Sequence, residues 1–276
     1  MSDEYFAVYF LHVKYNHTLM KEENSTYSAP ALEKGLDILE LLCRCENGLT
    51  QQEIASKLGR NLSEIYRMLN CLVQRNYIGH HGNNYTITSK LFQLSHYHPP
   101  TYRLLTESLP IMEVLSRAIS FPCDLRVYNN GVQTVIASTQ PPNGLGFMTR
   151  VGSEIEVAPS ASGLVLLAFQ DAIIREVRIK ESLPNKSETE VEAFRSTLKI
   201  IAHQGYASIK SNQYAGLHAI SYPILDINGN AIAALTVPML ARIDGTNQFS
   251  QEQVQVLLKE SVSTLSRRIA NTQTPI

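Results

Sequence analysis

The chain has 276 residues, with 24 Lys and Arg against 25 Asp and Glu and a formal net charge of −1 at pH 7. This length accommodates two domains with separate cores, and the near-neutral charge excludes a protein that holds nucleic acid by its overall charge alone. The four cysteines include no CxxC pair, which argues against a zinc site and fits reduced thiols in the cytoplasm.

Residues 1–28 are predicted to be a flexible N-terminal extension. Asp3 and Glu4 stand where a signal peptide has basic residues, and the apolar run 5–11 is too short to span a bilayer. No membrane association is therefore expected. The extension is either a native arm or the product of an upstream start codon, with Met20 as the alternative start.

Two short capped helices follow each other after residue 49. Thr50 and Glu53 have the spacing of a capping box, and Gly59 stands where a left-handed C-terminal cap is expected. Asn61 and Glu64 repeat the capping signature at the start of the second helix, and apolar residues recur at helical spacing in both segments. This pattern is typical of a helix-turn-helix, which binds DNA through its second helix.

The flanking segments extend this motif to a winged helix-turn-helix over residues 29–88. Upstream, Leu32 and Leu36 belong to an amphipathic stretch, 31–45, that is predicted to form a third core helix. Downstream, residues 77–88 have the pattern of a β-hairpin with a Gly/Asn turn, the wing. A helical hairpin packed in a core without any ligand is the alternative, and the order of the elements favours the winged helix.

The residues predicted to bind DNA are polar and lie on the outer face of the second helix, at the two helix starts and in the wing. They are Thr50, Gln51, Arg60, Asn61, Ser63, Glu64, Tyr66, Arg67, Asn70 and His81. Such side chains contact phosphates and base edges.

Residues 89–109 are predicted to be a linker region whose helix stops before Pro99 and Pro100. His96 and His98 have no carboxylate or Cys in register, so no metal site is predicted there.

Residues 110–274 are predicted to form an α+β domain with a largely antiparallel sheet, unlike a doubly wound nucleotide fold. The expected elements are a helix over about 110–120, a hairpin at 129–131, strand in 147–157, helices over 160–169 and 191–203, a hairpin at 228–229 and a closing helix over 249–270.

The start of the helix after Ser160 is a candidate site for a carboxylate. Ser160, Ala161, Ser162 and Gly163 open an apolar helix, whose first backbone N–H groups and positive dipole end favour an anion, and the two serines are expected to add hydroxyl donors. The alternative is an ordinary capped helix with nothing bound. Lys210 begins a polar stretch, 210–213, expected to be either a loop that closes over the ligand or a solvated loop.

Several motifs, in this order, resemble the IclR family of bacterial transcriptional regulators. They are the sequences at 32–40, 49–55, 63–69, 151–153, 160–168, 203–206, 215–224 and 229–237. The resemblance covers about residue 30 to the end. It implies a winged helix joined by a linker helix to a GAF-like domain that binds a small organic acid, in a homodimer or a dimer of dimers.

The resemblance also implies which positions line the acid pocket. They are Ala161, Ser162, Ile209, Ala219, Thr236 and Pro238. Ile209, Ala219 and Pro238 replace polar or acidic groups of relatives, and Leu164 replaces a usual Lys, so a different or less polar effector is expected. Glu64 replaces a usual Thr in the second helix of the pair, so the operator is expected to differ as well.

The sequence therefore predicts a DNA-binding regulator, repressor or activator, whose binding to double-stranded operator DNA is modulated by a small acid. No catalytic residue, cofactor or metal is predicted, because the usual phosphate-binding, nucleophile and metalloprotease motifs are absent. Ser162 with His203 or His218 is the nearest approach to a small-acid-processing enzyme, and nothing in the sequence orients either His. A protein-interaction module with a degenerate winged helix is the other alternative.

Overall fold

The computed structural model describes residues 29–142, 147–212, 214–241 and 249–271. The chain forms two compact units that divide between Tyr97 and His98. The expectations for residues 1–28 and for Gln213 lie outside the described residues. Within the described ranges, no helix has both the length and the apolar character needed to cross a bilayer.

The first unit is a winged helix-turn-helix, as predicted. Its elements are α1 (Pro30–Cys43), β1 (Leu49–Thr50), α2 (Gln51–Leu58), α3 (Leu62–Gln74), β2 (Ile78–His81), β3 (Asn84–Ile87) and α4 (Lys90–Tyr97). The three strands form an antiparallel sheet in the order β1-β3-β2, so that β1, which the sequence did not predict, pairs with the wing.

The core of this unit lies between the first three helices and the wing, where Ile38, Ile54 and Ile65 are fully buried. Leu32 and Leu36 were expected in the same core and that expectation was wrong, because they are 62% and 48% exposed. The apolar face of α1 is therefore only partly covered within this unit.

The second unit is an α+β domain built on one curled sheet. Its elements are α5 (Pro99–Ile119), β4 (Cys123–Asn129), β5 (Val132–Thr139), β6 (Glu154–Glu156), α6 (Ala161–Ala168), α7 (Ala172–Ser182), α8 (Glu188–Gln204), β7 (Ala207–Lys210), β8 (Leu217–Leu225), β9 (Ala231–Leu240) and α9 (Gln251–Asn271). All strand pairs are antiparallel, in the order β6-β5-β4-β9-β8-β7.

The two faces of this sheet pack against different helices. Alternate residues of a strand point to opposite faces. Leu235 and Val237 accordingly belong to one core, with α5 and α9, whereas Ala234 belongs to the other core, with α6 and α8. The α6 face, called the inner face below, carries the residues of the candidate effector site.

The helix expected to start near Pro110 instead starts at Pro99 and contains Pro110 in its interior. Pro99 and Pro100 fit the first helical turn, where the backbone N–H has no partner within the helix. Pro110 removes one helical hydrogen bond, and the flanking turns are anchored by the buried Leu104 and Met112.

Candidate DNA-binding surface and effector site

Helix α3 has one buried apolar face and one exposed polar face. Ile65 and Leu69 are fully buried in the first unit. Ser63 and Arg67 are exposed, and Tyr66 is 52% exposed. The structure therefore brings these three predicted DNA-binding residues together on one helical surface, with Asn70 half-buried at its edge.

Two other predicted DNA-binding residues are tied to α1 by ion pairs. Glu64 accepts from the Nζ of Lys34 at 2.9 Å, and Arg60 lies 3.3 Å from the carboxylate of Asp37. The Lys34 hydrogen bond and charge lower the pKa of Glu64. The predicted capping box of α3 was wrong, because Asn61 makes no side-chain cap bond and Glu64 reaches Lys34 instead.

The side chains of Thr50 and Gln51 are used inside the helix pair. Thr50 and Glu53 form the predicted capping box, with the Thr50 N–H donating to Glu53 Oε2 at 2.8 Å, and these bonds lower the pKa of Glu53. Gln51 Nε2 donates to the carbonyl of Leu62 at 3.0 Å, across the turn. Gly59 has the predicted left-handed conformation, at φ 61°. These contacts fix the angle at which α3 leaves α2.

The wing presents His81 at the end of β2, opposite Asn84 of β3. His81 is exposed, while its neighbour His80 stacks on Tyr85 with ring centroids 4.4 Å apart. His81 is thus placed near the tip of the hairpin.

In the second unit, the start of α6 is capped by its own serine. Ser160 Oγ accepts from the Gly163 N–H at 3.0 Å and donates to the carbonyl of Val157 at 3.1 Å. Gln133 Nε2 also donates to Ser160 Oγ. The expectation that Ser160 offers a free hydroxyl donor was therefore wrong, because its proton is already used. A side chain at Gly163 would meet the Val157 carbonyl oxygen at 2.1 Å, which gives this glycine a packing role.

Three of the predicted pocket residues form one row across the sheet. Ile209, Ala219 and Pro238 are in register on β7, β8 and β9 and share the inner face. The prediction for Lys210 was wrong, because it is the last residue of β7, where it pairs with His218, and not part of a loop. Since side chains alternate along a strand, Lys210 points away from the face that Ile209 occupies.

A second row on the inner face is polar. Thr236, which is fully buried, lies in register between Asp124 and Ser221, and Asp124 pairs in turn with Ser138. The hydroxyls of Ser221 and Thr236 are 2.9 Å apart, and Ser138 Oγ donates to Asp124 Oδ1 at 2.8 Å. The inner face therefore carries more polar side chains than Ile209, Ala219 and Pro238 alone indicated.

A buried ion pair connects this polar row to the start of α6. Arg126 Nη2 donates to Asp124 Oδ2 at 2.8 Å, and Arg126 Nη1 donates to Ser162 Oγ at 3.0 Å. The side chains of Arg126 and Asp124 are 8% and 0% exposed, and Ala161 and Ser162 on α6 are also buried. Burial of two charges is tolerated only where the pair is close and further hydrogen bonds support it.

Sequence reasoning missed Asp124 and Arg126, although a signal was present. Both charges lie in the segment 123–128, directly before the turn of the hairpin predicted at 129–131. Two charged residues two positions apart in an otherwise apolar strand share one face of the sheet. In a sheet covered by helices on both faces, that face is buried, and the charges must pair there.

The structure does not support the pairing of Ser162 with His218 that the sequence allowed. Ser162 contacts Arg126, whereas His218 contacts Ser208, with His218 Nε2 2.7 Å from Ser208 Oγ. Burial and the nearby Lys210 lower the pKa of His218. In the part of the chain that the structure describes, no group of three or more His, Cys, Asp or Glu is arranged to hold a metal ion.

Two protein-family descriptions match this chain and together cover most of it. Residues 31–82 match the IclR helix-turn-helix domain, and residues 101–270 match the C-terminal domain of the bacterial transcriptional regulator IclR.

Individual proteins with the same organisation are similar over most of their length. The HTH-type transcriptional regulator RhmR of Escherichia coli, whose function is uncharacterised, is 24% identical over 75% of this chain and 82% of its own. The DNA-binding transcriptional repressor YiaJ of Escherichia coli is 20% identical over 94% of both chains. An IclR homologue from Microbacterium hydrocarbonoxydans, solved in complex with 4-hydroxybenzoate, has a TM-score of 0.71 at 21% identity, covering 87% of this chain and 98% of its own.

Proposed function

Since this chain belongs to the IclR family of bacterial transcriptional regulators, we propose that its α3 surface reads operator DNA and that a small organic acid in the second unit modulates that binding. The family assignment makes the protein a DNA-binding transcriptional regulator. The operator, the effector and the residues that contact each of them are the parts that we propose.

The proposed DNA contact rests on the exposed polar face of α3. Ser63, Tyr66 and Arg67 lie on a helix whose other face is fixed in the core, so that the polar face is rigidly presented. In helix-turn-helix proteins the second helix enters the major groove, where Arg and Ser side chains bind base edges and phosphates. Arg60 and the wing residue His81 are assigned to the phosphate backbone.

Glu64 and Gln51 have smaller roles in this proposal than in the sequence prediction. Lys34 neutralises the Glu64 carboxylate and Gln51 is bonded to the Leu62 carbonyl. Both residues are assigned to the geometry of the helix pair, and Glu64 reads a base only where Lys34 releases it.

The proposed effector site is the inner face of the sheet where it meets the start of α6. Ser162, Thr236 and Ile209 lie on α6, β9 and β7, and α6 packs against both strands, while the helix dipole favours an anion at this position. The homologue solved with 4-hydroxybenzoate supports a small carboxylic acid as the class of effector. Ligand binding that favours one of two DNA-binding arrangements changes operator affinity by typically about 1–3 kcal/mol of coupling.

We also expect the protein to act as a dimer or a dimer of dimers. A net charge of −1 provides little general attraction to DNA, so that two winged helices on two half-sites are needed for tight binding. The exposed Leu32 and Leu36 of α1 are consistent with a surface that a second copy covers.

The proposal for DNA is tested by selecting fragments of the source genome with the purified full-length chain and mapping the protected site. We expect a two-fold symmetric site, and we expect the triple variant S63A/R67A/N70A to lose it while keeping the wild-type circular dichroism spectrum and unfolding transition. A variant that still protects the same site would contradict the assignment of α3 and favour the protein-interaction alternative.

The proposal for the effector is tested by a thermal-shift screen of small carboxylic acids. A ligand at a hundred times its Kd adds about 2.7 kcal/mol of stability. The acid that stabilises the chain should also change operator affinity in a mobility-shift assay. Conversion of the acid to a product during the assay would instead favour the enzyme alternative.

A further inference from the structure

We propose that Arg126 recognises the carboxylate of the effector and that Asp124 is a positioning residue that holds the Arg126 guanidinium at the start of α6. This inference rests on the proposed function, because it concerns the same site. It goes further in naming the charged group that determines specificity, which neither the helix dipole nor the predicted pocket residues provide.

The position of the guanidinium is the first argument. Arg126 lies on β4 in register with Ala234 of β9, next to the row that contains Asp124 and Thr236. Its Nη1 donates to Ser162 Oγ, at the second residue of α6, at 3.0 Å. The guanidinium thus lies between the polar row of the sheet and the start of the helix, where the proposed carboxylate binds.

The hydrogen bonds of Arg126 leave part of its fork available. Nη2 donates to Asp124 at 2.8 Å and to Thr149 Oγ1 at 3.3 Å, and Nη1 donates to Ser162. Arg126 is only 6% exposed, and its Nε is buried and has no hydrogen-bond partner among the described residues. A buried donor without an acceptor costs free energy, and a carboxylate oxygen would satisfy it.

The side-chain oxygen of Gln133 also lacks a hydrogen-bond partner among the described residues. Gln133, which is fully buried, donates through Nε2 to Ser160 Oγ and to the Glu156 carbonyl, while its Oε1 has no hydrogen-bond partner among the described residues. Arg126 and Gln133 both contact the first turn of α6, through Ser162 and Ser160. A ligand with a carboxylate and a hydroxyl group would provide an acceptor for Arg126 Nε and a donor for Gln133 Oε1.

Two positive groups, the Arg126 guanidinium and the N-terminal end of α6, lie close together. The positive end of the α6 dipole and the positive guanidinium lie side by side, which is unfavourable unless an anion is close to both. Asp124 provides one carboxylate, and it lies on the sheet side of Arg126, where Ser138 also bonds it. A second carboxylate on the helix side would interact with the guanidinium and the helix dipole together, and an arginine can bind two carboxylates through different edges of its fork.

Arg126, Ser162 and Thr236 are buried, so the site is closed in this structure and the effector enters by displacing side chains. Asp124 keeps Arg126 in one orientation during that exchange. A ligand without a negative charge would leave the cation and the helix dipole without an added anion, so a carboxylic acid should bind better than its amide of nearly the same shape.

The test compares acids with their amides on the full-length chain. The probes are 4-hydroxybenzoate with 4-hydroxybenzamide, benzoate with benzamide, and pyruvate with pyruvamide, with binding measured by calorimetry. For at least one pair we expect the wild type to bind the acid roughly tenfold or more tightly than the amide. Arg126→Lys keeps the charge without the fork and should weaken the acid several-fold.

The double variant D124N/R126Q removes both charges and leaves no buried charge unpaired, so that folding is preserved. We expect it to bind acid and amide about equally. The control K186Q removes an exposed ion pair with Glu190, at 2.9 Å, outside the site and should behave as the wild type does. Because the chain contains no Trp, the folding of each variant is checked by far-ultraviolet circular dichroism.

The outcomes separate this inference from the proposed function. If an amide binds the wild type as tightly as its acid, or if D124N/R126Q keeps the preference for the acid, Arg126 does not recognise a carboxylate and the effector site itself stands. If no probe of either kind binds the wild type, the assignment of a small organic acid fails, and this inference fails with it.

Discussion

The polar residues of the two units are held in opposite ways. In the first unit they are exposed on α3 or paired at the surface, as Lys34 and Glu64 are. In the second unit Arg126 and Asp124 are buried and bonded to their neighbours on the inner face of the sheet. A surface pair contributes little to stability, whereas breaking a buried pair leaves an uncompensated charge.

In the first unit, the residues proposed to recognise the ligand are therefore different from those that stabilise the fold, whereas in the second unit the same residues do both. Substitution of an exposed residue on α3 should change DNA binding without changing stability, because little is packed against it. Substitution of a single member of the buried cluster should change stability first, and ligand binding is measurable only in variants that keep the charges balanced.

Arg126→Met should be the most damaging single substitution in the second unit. It leaves Asp124 buried without its cation, which costs about 3–5 kcal/mol of the free energy of unfolding. Urea denaturation followed by circular dichroism measures this loss, and D124N/R126Q should recover a large part of it. A loss for Arg126→Met no larger than that of D124N/R126Q would show that Asp124 is solvated or re-paired, and that the cluster resembles a surface pair.

Gly163→Ala should destabilise the second unit by about 1–3 kcal/mol, because the new methyl group would overlap the Val157 carbonyl, which lies 2.1 Å away. The matched control is Gly35→Ala on α1, where a Cβ meets nothing within 4 Å. That substitution should stabilise the first unit by roughly 0.5–1 kcal/mol, because alanine favours helix. Equal effects of the two substitutions would contradict the packing role of Gly163.

The parts of the fold that local patterns determine were predictable. Thr50, Glu53 and Gly59 specify the first helix of the pair through caps, which depend only on neighbours in sequence. The hairpin at 228–229 follows in the same way from its turn residues. Glu64 shows where this reasoning ends, since its spacing to Asn61 fits a capping box and its actual partner is Lys34, thirty residues away on another helix.

The remainder depends on tertiary contacts that periodicity does not encode. Helix α7 was missed because Ile173 and Val177 are exposed, at 79% and 50%, so that it has no clear buried stripe, although Asp171 caps it through the N–H of Ile173. For the candidate effector site, the resemblance indicated positions on α6 and on the sheet, but it did not indicate Arg126, which lies on β4, three strands before β7 in the chain. Its contact with Ser162 exists only because the sheet brings β4 under α6.

Arg67→Ala should weaken operator binding by roughly 1–3 kcal/mol if Arg67 reads a base edge or a close phosphate. Its stability should change by less than about 0.5 kcal/mol, because Arg67 is an exposed residue outside the core. Operator affinity is measured at a fixed salt concentration by fluorescence anisotropy. The control is Arg117→Ala, an exposed arginine on α5. Unchanged affinity for Arg67→Ala, or an equal loss for Arg117→Ala, would remove Arg67 from the DNA surface.

Lys34→Met should have the smallest effect, and it tests the surface character of the first unit directly. Lys34 holds the pKa of Glu64 below its ordinary value, so the pair stabilises the folded state above the ordinary carboxyl pKa and that contribution is lost as the pH falls through the lowered pKa. In the variant, the Glu64 pKa measured by NMR should rise towards its ordinary value. In the wild type the same pKa should rise with added salt, because the pair is partly exposed and therefore partly screened. A Glu64 pKa that does not respond to salt would place this pair with the buried cluster of the second unit, and the contrast between the two units would then not hold at Glu64.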